Sequence, residues 1–339
     1  MGKTRVPRDR RCCSLVLIFI VSAGYAVAVP AYRGFSYTPW SRDALLDPGS
    51  DRSILNMKAD GANAVALNVW WFQDNERSIG LTEDFARYSA SQDSVRHAIR
   101  LMHSAGLKVL LKPMVDCRNG KWRGEIRPSQ AWFEAYGAFI TLWAGVAEEE
   151  GVEAFSVGCE LARTEAWEKE WRQVVSAVRA AYTGPLTYSA NHGSEGAISW
   201  WDAVDFIGID AYYPLTARRD PSQAELDRAW VSLAHGIKSW RDSRWPGMTV
   251  VFTEVGYRSA DGTNTAPWDY SPGRALDLGE QRDCYQAFFS ALWNETWWGG
   301  AFLWNWETNP ESGGAQDTGY TPHLKPAEDV VRSYYLYGL

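Results

Sequence analysis

Residues 153–160 read Glu-Ala-Phe-Ser-Val-Gly-Cys-Glu, and residues 249–254 read Thr-Val-Val-Phe-Thr-Glu. Each stretch is a short apolar run that ends on a glutamate. Continuous runs of this kind are typical of strands buried on both faces of a parallel sheet. A charge at such a position is costly unless it is paired or functional. The two stretches therefore predict parallel strands that each carry a carboxylate at the carboxyl end.

Apolar runs with strand character recur on both sides of this pair. The eight predicted strands cover residues 34–38, 63–70, 107–113, 153–160, 185–190, 206–212, 249–254 and 301–305. Amphipathic stretches predict helices at residues 91–105, 130–149, 166–182, 223–240, 277–293 and 325–335. Strict alternation of strand and helix predicts either a doubly wound sheet or a closed barrel.

Two features favour the barrel. The strand count is eight, and no Gly-x-Gly-x-x-Gly motif follows the first strand, so the dinucleotide-binding sheet lacks its phosphate signature. No linker divides the chain. We therefore predict an α/β fold, a single-domain (β/α)8 TIM barrel that forms the catalytic domain over residues 29–339.

The first 28 residues have the pattern of a targeting segment. Basic residues dominate positions 2–11, an apolar stretch covers residues 12–28, and it ends in Ala26-Val27-Ala28. This pattern predicts a signal peptide over residues 1–28, cleaved near Ala28, and a secreted protein. An uncleaved signal anchor is the alternative, because the basic flank is strong.

Composition limits the classes of ligand. The net charge of −7 disfavours a nucleic-acid partner. The chain has 19 tryptophans. Most are expected in the core, but indole rings at strand ends also suit the C–H faces of sugars.

Neither a metal nor an organic cofactor is expected. The three cysteines beyond residue 28, Cys117, Cys159 and Cys284, fit no zinc spacing, and their odd number allows at most one internal disulfide. The five histidines form no His-x-His pair at a strand end. The sequence leaves the oligomeric state open.

In a barrel of this type the active site lies at the carboxyl ends of the strands. Polar and aromatic residues occur at the ends of seven predicted strands. Cap and turn positions alone do not explain so many of them on one face. Besides the glutamates, we single out as candidate substrate-binding residues Trp40, Trp70, Trp71, Lys112, Asp116, Asn191, Asp210, Tyr212 and Trp304.

The two glutamates, Glu160 and Glu254, end predicted strands four and seven and are expected to face each other across the mouth. Retaining glycoside hydrolysis needs two carboxyl groups about 5–5.5 Å apart. Tyr212 is expected to hydrogen-bond Glu254, and the Trp304 ring is expected to lie beneath the reacting sugar. Lys112 would either read sugar hydroxyls or pair with an aspartate. Salt-bridged barrel carboxylates are the structural alternative for the glutamates.

The chain resembles glycoside hydrolase family 113 from about residue 34 to residue 335. The stretches that carry the resemblance include GFSYTPW, GANAVALNVWWFQD, GLKVLLKPMVD, WRGEI, FSVGCEL, GPLTYSAN, WWDAVDFIGIDAYYPLT, VVFTEVGYRS, WNWET and YTPHLKPAE. The resemblance implies a retaining endo-β-1,4-mannanase acting on mannan or glucomannan, with Glu160 as acid/base and Glu254 as nucleophile. A bell-shaped pH profile on the acidic side of neutral is then expected.

One position departs from the wider clan. Cys159 stands immediately before Glu160, where many members have an asparagine that binds the sugar 2-hydroxyl. Asn191 or Lys112 would have to replace it. Two alternatives therefore stay open: another retaining β-glycosidase, such as a β-glucanase or exo-β-mannosidase, or a non-catalytic carbohydrate-binding barrel.

Overall fold

A computed structural model describes residues 1–2 and 29–339 of the chain. Nearly all of the predicted signal peptide, residues 3–28, lies outside the described residues. Within the described part, none of the helices combines the length and apolarity that a membrane span needs.

Eight parallel strands close into one barrel in chain order, with β1 paired to β8. The predicted (β/α)8 TIM barrel is thereby confirmed. The strands are β1 (Tyr32–Tyr37), β2 (Ala64–Gln73), β3 (Lys108–Cys117), β4 (Ala154–Cys159), β5 (Leu186–Asn191), β6 (Ile207–Asp210), β7 (Val250–Val255) and β8 (Trp298–Trp306).

Within residues 29–339, seven α-helices surround the barrel. They are α1 (Pro48–Ala59), α2 (Gln92–Ser104), α3 (Gln130–Glu150), α4 (Glu168–Ala181), α5 (Gln223–Arg244), α6 (Leu278–Leu292) and α7 (Pro326–Tyr337). Helix α1 is absent from the helices predicted from sequence, because its apolar pattern is weak. Its start signal is nevertheless present, because Asp47 caps the Gly49 amide and Pro48 occupies the first helical position.

Strands β2 and β3 are longer than predicted. They pair over ten residues, from Ala64 with Lys108 to Gln73 with Cys117. Trp71 and Asp116 therefore lie inside strands and not in the loops after them, and their side chains follow strand alternation.

Alternation along β2 separates two layers. Ala64 and Ala66 belong to a cluster of alanines and larger apolar side chains inside the barrel. Val65, Leu67 and Val69 face the other way and join the large core between barrel and helices. The inner layer fills the barrel, so only its carboxyl-terminal end can hold a site. Among the described residues, Cys117, Cys159 and Cys284 are buried and unpaired, so no disulfide joins any two of them.

Candidate active site

Glu160 lies one residue beyond β4, at the barrel mouth. Its amide donates to the Ser189 carbonyl at 2.8 Å, and its side chain is 15% exposed. The backbone of Glu160 has a φ of +51°. A non-glycine residue in this left-handed region is strained, and such strain persists only where the surroundings impose it.

Glu254 lies within β7 and is 5% exposed. Its carboxylate accepts two strong hydrogen bonds, one from Lys112 Nζ at 2.6 Å and one from the Tyr212 hydroxyl at 2.7 Å. The sequence-based pairing of Tyr212 with Glu254 is therefore present. Two donors on a buried carboxylate favour its ionised form and fix its orientation.

A β-bulge aims Glu254 into the barrel. Strict alternation would send the side chains of Thr253 and Glu254 to opposite faces of the strand. Both nevertheless reach the barrel interior, as the hydrogen bond from Thr253 to Asp210 Oδ1 at 2.7 Å shows. The register of β7 shifts against both neighbouring strands at this point. Bulges commonly re-aim a side chain next to an active site.

Lys112 joins the two buried carboxylates. Its ammonium donates to both oxygens of Asp210, at 2.8 and 3.0 Å, as well as to Glu254. The Cys159 thiol donates to Asp210 Oδ2 at 3.3 Å. The ammonium therefore compensates two charges that burial would otherwise make very costly.

The pKa of Glu160 is raised to about 8, chiefly by burial and then by the Asp210 carboxylate, with Arg123 opposing. Burial and Asp210 also raise the pKa of Glu254, although Lys112 and Tyr212 pull it down. The Tyr212 hydrogen bond expected from sequence is thus one of two contacts that lower the pKa of Glu254. We place the pKa of Glu160 above that of Glu254, because only Glu254 has an ammonium and a phenol in close contact.

Arg123, which the sequence analysis missed, connects Glu160 to Asp116. It donates to Asp116 Oδ1 at 2.9 Å, and its guanidinium lies 3.7 Å from Glu160 Oε2. Trp122 is 44% exposed beside them, with its indole nitrogen 3.5 Å from the same Glu160 oxygen. The only sequence signal was the short Trp-Arg-Gly-Glu run after β3.

A second aromatic group lies near the ends of β1 and β2. Trp40 is 44% exposed, stacks on Trp70 with centroids 5.9 Å apart, and donates to Glu307 Oε2 at 2.9 Å. Tyr88 packs edge-on against both rings and donates to Asp116. Only Trp40 of this stack offers a large exposed face to a ligand.

Three predicted substrate contacts need correction. Trp71 lies on the outward face of β2 and packs on Phe139 of α3, because side chains alternate along a strand. Lys112 and Asp210 are both 0% exposed and bind each other. They position Glu254 and do not reach the open mouth.

The remaining candidates lie around the mouth. Asn191 ends β5 and is partly exposed, with its amide 3.2 Å from the His192 carbonyl. His192 stacks on Trp268, which is 46% exposed, with centroids 5.0 Å apart. Trp304 of β8 is partly exposed and packs near Trp70. The structure brings these residues to one face, and their sugar contacts stay predictions.

One group of potential metal ligands falls at this site. Donor atoms of Cys159, Asp210 and Glu254 lie within 4.8 Å of one another. Lys112 Nζ, however, already binds both carboxylates at 2.6–3.0 Å. The donor set does not fit a metal, because a fixed ammonium supplies the positive charge there.

A closed barrel with two inward carboxylates at the ends of β4 and β7 defines the class of barrel glycoside hydrolases. The model of Glycoside Hydrolase Family 113 matches residues 35–325. The chain belongs to this family and is a glycoside hydrolase.

Solved structures agree with this assignment. The chain is 31% identical to the GH113 β-mannanase AaManA from Alicyclobacillus acidocaldarius, with a TM-score of 0.83 over 93% of this chain and 100% of that one. A GH113 β-1,4-mannanase in a complex is 28% identical, with a TM-score of 0.81 over 91% and 99%. A β-D-glucuronidase from Dictyoglomus thermophilum, 16% identical, shares the fold at a TM-score of 0.60, over 91% and 51%. Among curated protein sequences, none matches the chain.

Proposed function

We propose that the protein is a retaining endo-β-1,4-mannanase. The observation that carries this proposal is the unequal pair of carboxyl groups, Glu160 and Glu254. Lys112 and Tyr212 lower the pKa of Glu254 and so favour the ionised form a nucleophile needs, against the raising effect of burial and Asp210. In the described part of the chain, Glu160 has no ammonium or phenol in close contact, and burial favours its protonated form. Environments that push two carboxyl pKa values apart are the mark of an acid and nucleophile pair.

The proposed reaction is a double displacement. Glu254 attacks the anomeric carbon while Glu160 gives its proton to the leaving glycosidic oxygen. Glu160 then takes a proton from water, which attacks the same carbon and releases Glu254. Product therefore keeps the β configuration. The mannanases among the similar structures support a β-1,4-mannan or glucomannan substrate.

Endo action is supported by where the exposed rings lie. Trp40 follows β1, whereas Trp268 stacks on His192, which follows β5. Strands one and five are opposite each other in an eight-stranded barrel. Exposed indoles on opposite sides of the glutamates suit a polysaccharide that extends past the cleaved bond in both directions.

Hydrolysis of mannohexaose by the wild type and by Glu254→Ala tests the proposal. We expect short products in the β configuration from the wild type, and loss of hydrolysis in the variant. Glu134→Ala, on the exposed face of α3, is the matched control and should hydrolyse normally. EDTA should not change the rate.

The products separate the alternatives. Release of single mannose units indicates an exo-β-mannosidase, and activity only on β-glucans replaces the substrate but keeps the mechanism. Products in the α configuration would contradict retention. Binding without hydrolysis of any β-glycan would leave a carbohydrate-binding barrel.

A further inference from the structure

The left-handed backbone of Glu160 is held from outside the barrel by a buried phenol. The amide of Leu161, the next residue, donates to the Tyr188 hydroxyl at 2.8 Å. That hydroxyl in turn donates to Glu165 Oε1 at 2.9 Å. A phenol hydroxyl has one proton, so Tyr188 donates that proton to Glu165 and accepts the Leu161 amide hydrogen with an oxygen lone pair.

Both members of this pair are rigidly placed. Tyr188 is fully buried and packs edge-on against Trp171 and Trp200, which stack on each other, with its ring centroid 5.2 Å from each of theirs. Glu165 is 2% exposed, and it also accepts from Ser194 at 3.2 Å. A buried carboxyl with such fixed donors has little freedom to move.

The end of β4 is pressed against the same phenol. A Cβ atom on Gly158 would lie 2.8 Å from the Tyr188 ring, so only glycine allows the strand to pass this closely. Gly158 precedes Glu160 by two residues and Leu161 follows it. The Tyr188 side chain therefore contacts the backbone on both sides of the strained residue.

We propose that Tyr188 and Glu165 are positioning residues that hold the Glu160 backbone in its left-handed conformation and so aim the acid/base carboxyl at the leaving oxygen. This inference rests on the proposed function for its kinetic consequence. Neither residue touches substrate, because both are buried behind β4 and β5. The hydrogen bonds supply the external restraint that a strained backbone requires.

Burial raises the pKa of Glu165 to about 7, against the hydrogen bonds from Tyr188 and Ser194. The positioning role needs an acceptor oxygen and not a charge. Glu165→Gln keeps that oxygen in nearly the same place, whereas Glu165→Leu removes it. The two variants therefore distinguish hydrogen bonding from electrostatics.

The test compares leaving groups. The alkoxide released from mannohexaose needs the Glu160 proton, whereas the dinitrophenolate of dinitrophenyl β-mannobioside leaves without it. For Tyr188→Phe we expect kcat/KM on mannohexaose to fall about 10–100-fold, mostly in kcat, because small misplacements of catalytic groups have effects of this size. On the dinitrophenyl substrate it should change less than about twofold.

Tyr182→Phe is the matched control. This substitution also removes a buried phenol hydroxyl, which donates to the Val152 carbonyl at 2.7 Å. Val152 precedes β4 and so lies at the opposite end of that strand from Glu160. The variant should lose comparable stability but keep its activity on both substrates. Glu165→Leu should behave like Tyr188→Phe, and Glu165→Gln should stay near the wild type.

Equal losses on both substrates, or equal losses in Tyr188→Phe and Tyr182→Phe, would overturn the inference. A crystal structure of Tyr188→Phe provides a readout that needs no substrate. We expect the φ of Glu160 to leave the left-handed region, and an unchanged backbone there would also overturn it. Failure of the wild type to cleave mannohexaose would instead contradict the proposed function, while the crystallographic readout still decides the positioning role.

Discussion

At the scale of single residues, the site depends on one buried ammonium shared by two carboxylates. Lys112 is placed so that neither Asp210 nor Glu254 is left as an unpaired charge in the barrel. Removing one member of a buried ion pair is far more costly than removing a surface pair, because the charge that remains has no solvent. The same contact also controls the ionisation of Glu254.

Lys112→Met should therefore lose both stability and activity. We expect a loss of about 3–5 kcal/mol in the free energy of unfolding, measured with urea. Lys112 lowers the pKa of Glu254, so its removal should move the acidic limb of kcat/KM to higher pH. Lys238→Met breaks an exposed pair with Asp242 on α5 and should cost less than about 0.5 kcal/mol. Equal destabilisation by the two substitutions would contradict this reading.

The pKa of Glu160 predicts the basic limb of the pH profile. The acid must be protonated, so kcat/KM should fall as the pH rises through about 8. The optimum then lies closer to neutral than the sequence alone predicts. Arg123 lowers this pKa, so Arg123→Met should move the basic limb to higher pH. Arg100→Met, which removes an exposed side chain on α2, should leave it in place. A limb unmoved in Arg123→Met would refute this assignment.

At the scale of elements, the end of β4 tolerates no side chain at residue 158. An added Cβ atom would lie 2.8 Å from the buried rings of both Trp171 and Tyr188. Gly158→Ala should destabilise the protein by about 1–3 kcal/mol, because the core cannot relax around it. Gly145→Ala in α3 meets open space and should stabilise by about 0.5–1 kcal/mol. Urea midpoints that shift in the same direction would contradict the packing argument.

Element order was predictable from sequence, whereas exact strand ends were not. Apolar runs predicted all eight strands, because parallel strands buried on both faces need them. The register shift in β7 has no signature in the Thr-Val-Val-Phe-Thr-Glu run, so alternation alone leaves open which of Thr253 and Glu254 faces inward. For Trp71, alternation does give the right answer once the strand is known to continue past it. The observed β2 extends to Gln73, and Trp71 therefore points outward.

At the scale of the whole molecule, barrel closure assembles the site from distant parts of the chain. Lys112, Asp210 and Glu254 come from three strands and meet only when the barrel is complete. The barrel rule predicts that strand ends converge, so the glutamates could be paired from sequence. The position of Arg123 depends on the path of a loop, for which no periodic pattern exists.

The position of β1 predicts that removal of the N-terminal segment leaves the barrel intact. Cleavage after Ala28 would leave three residues before β1, which begins at Tyr32. Every strand and helix given above would be kept, so the processed and full-length chains should unfold at the same temperature. We expect the protein in the culture medium to begin at Val29, as read from its intact mass. A full-length chain retained in the membrane fraction would instead identify residues 1–28 as a signal anchor, because the basic flank would then hold the segment in place.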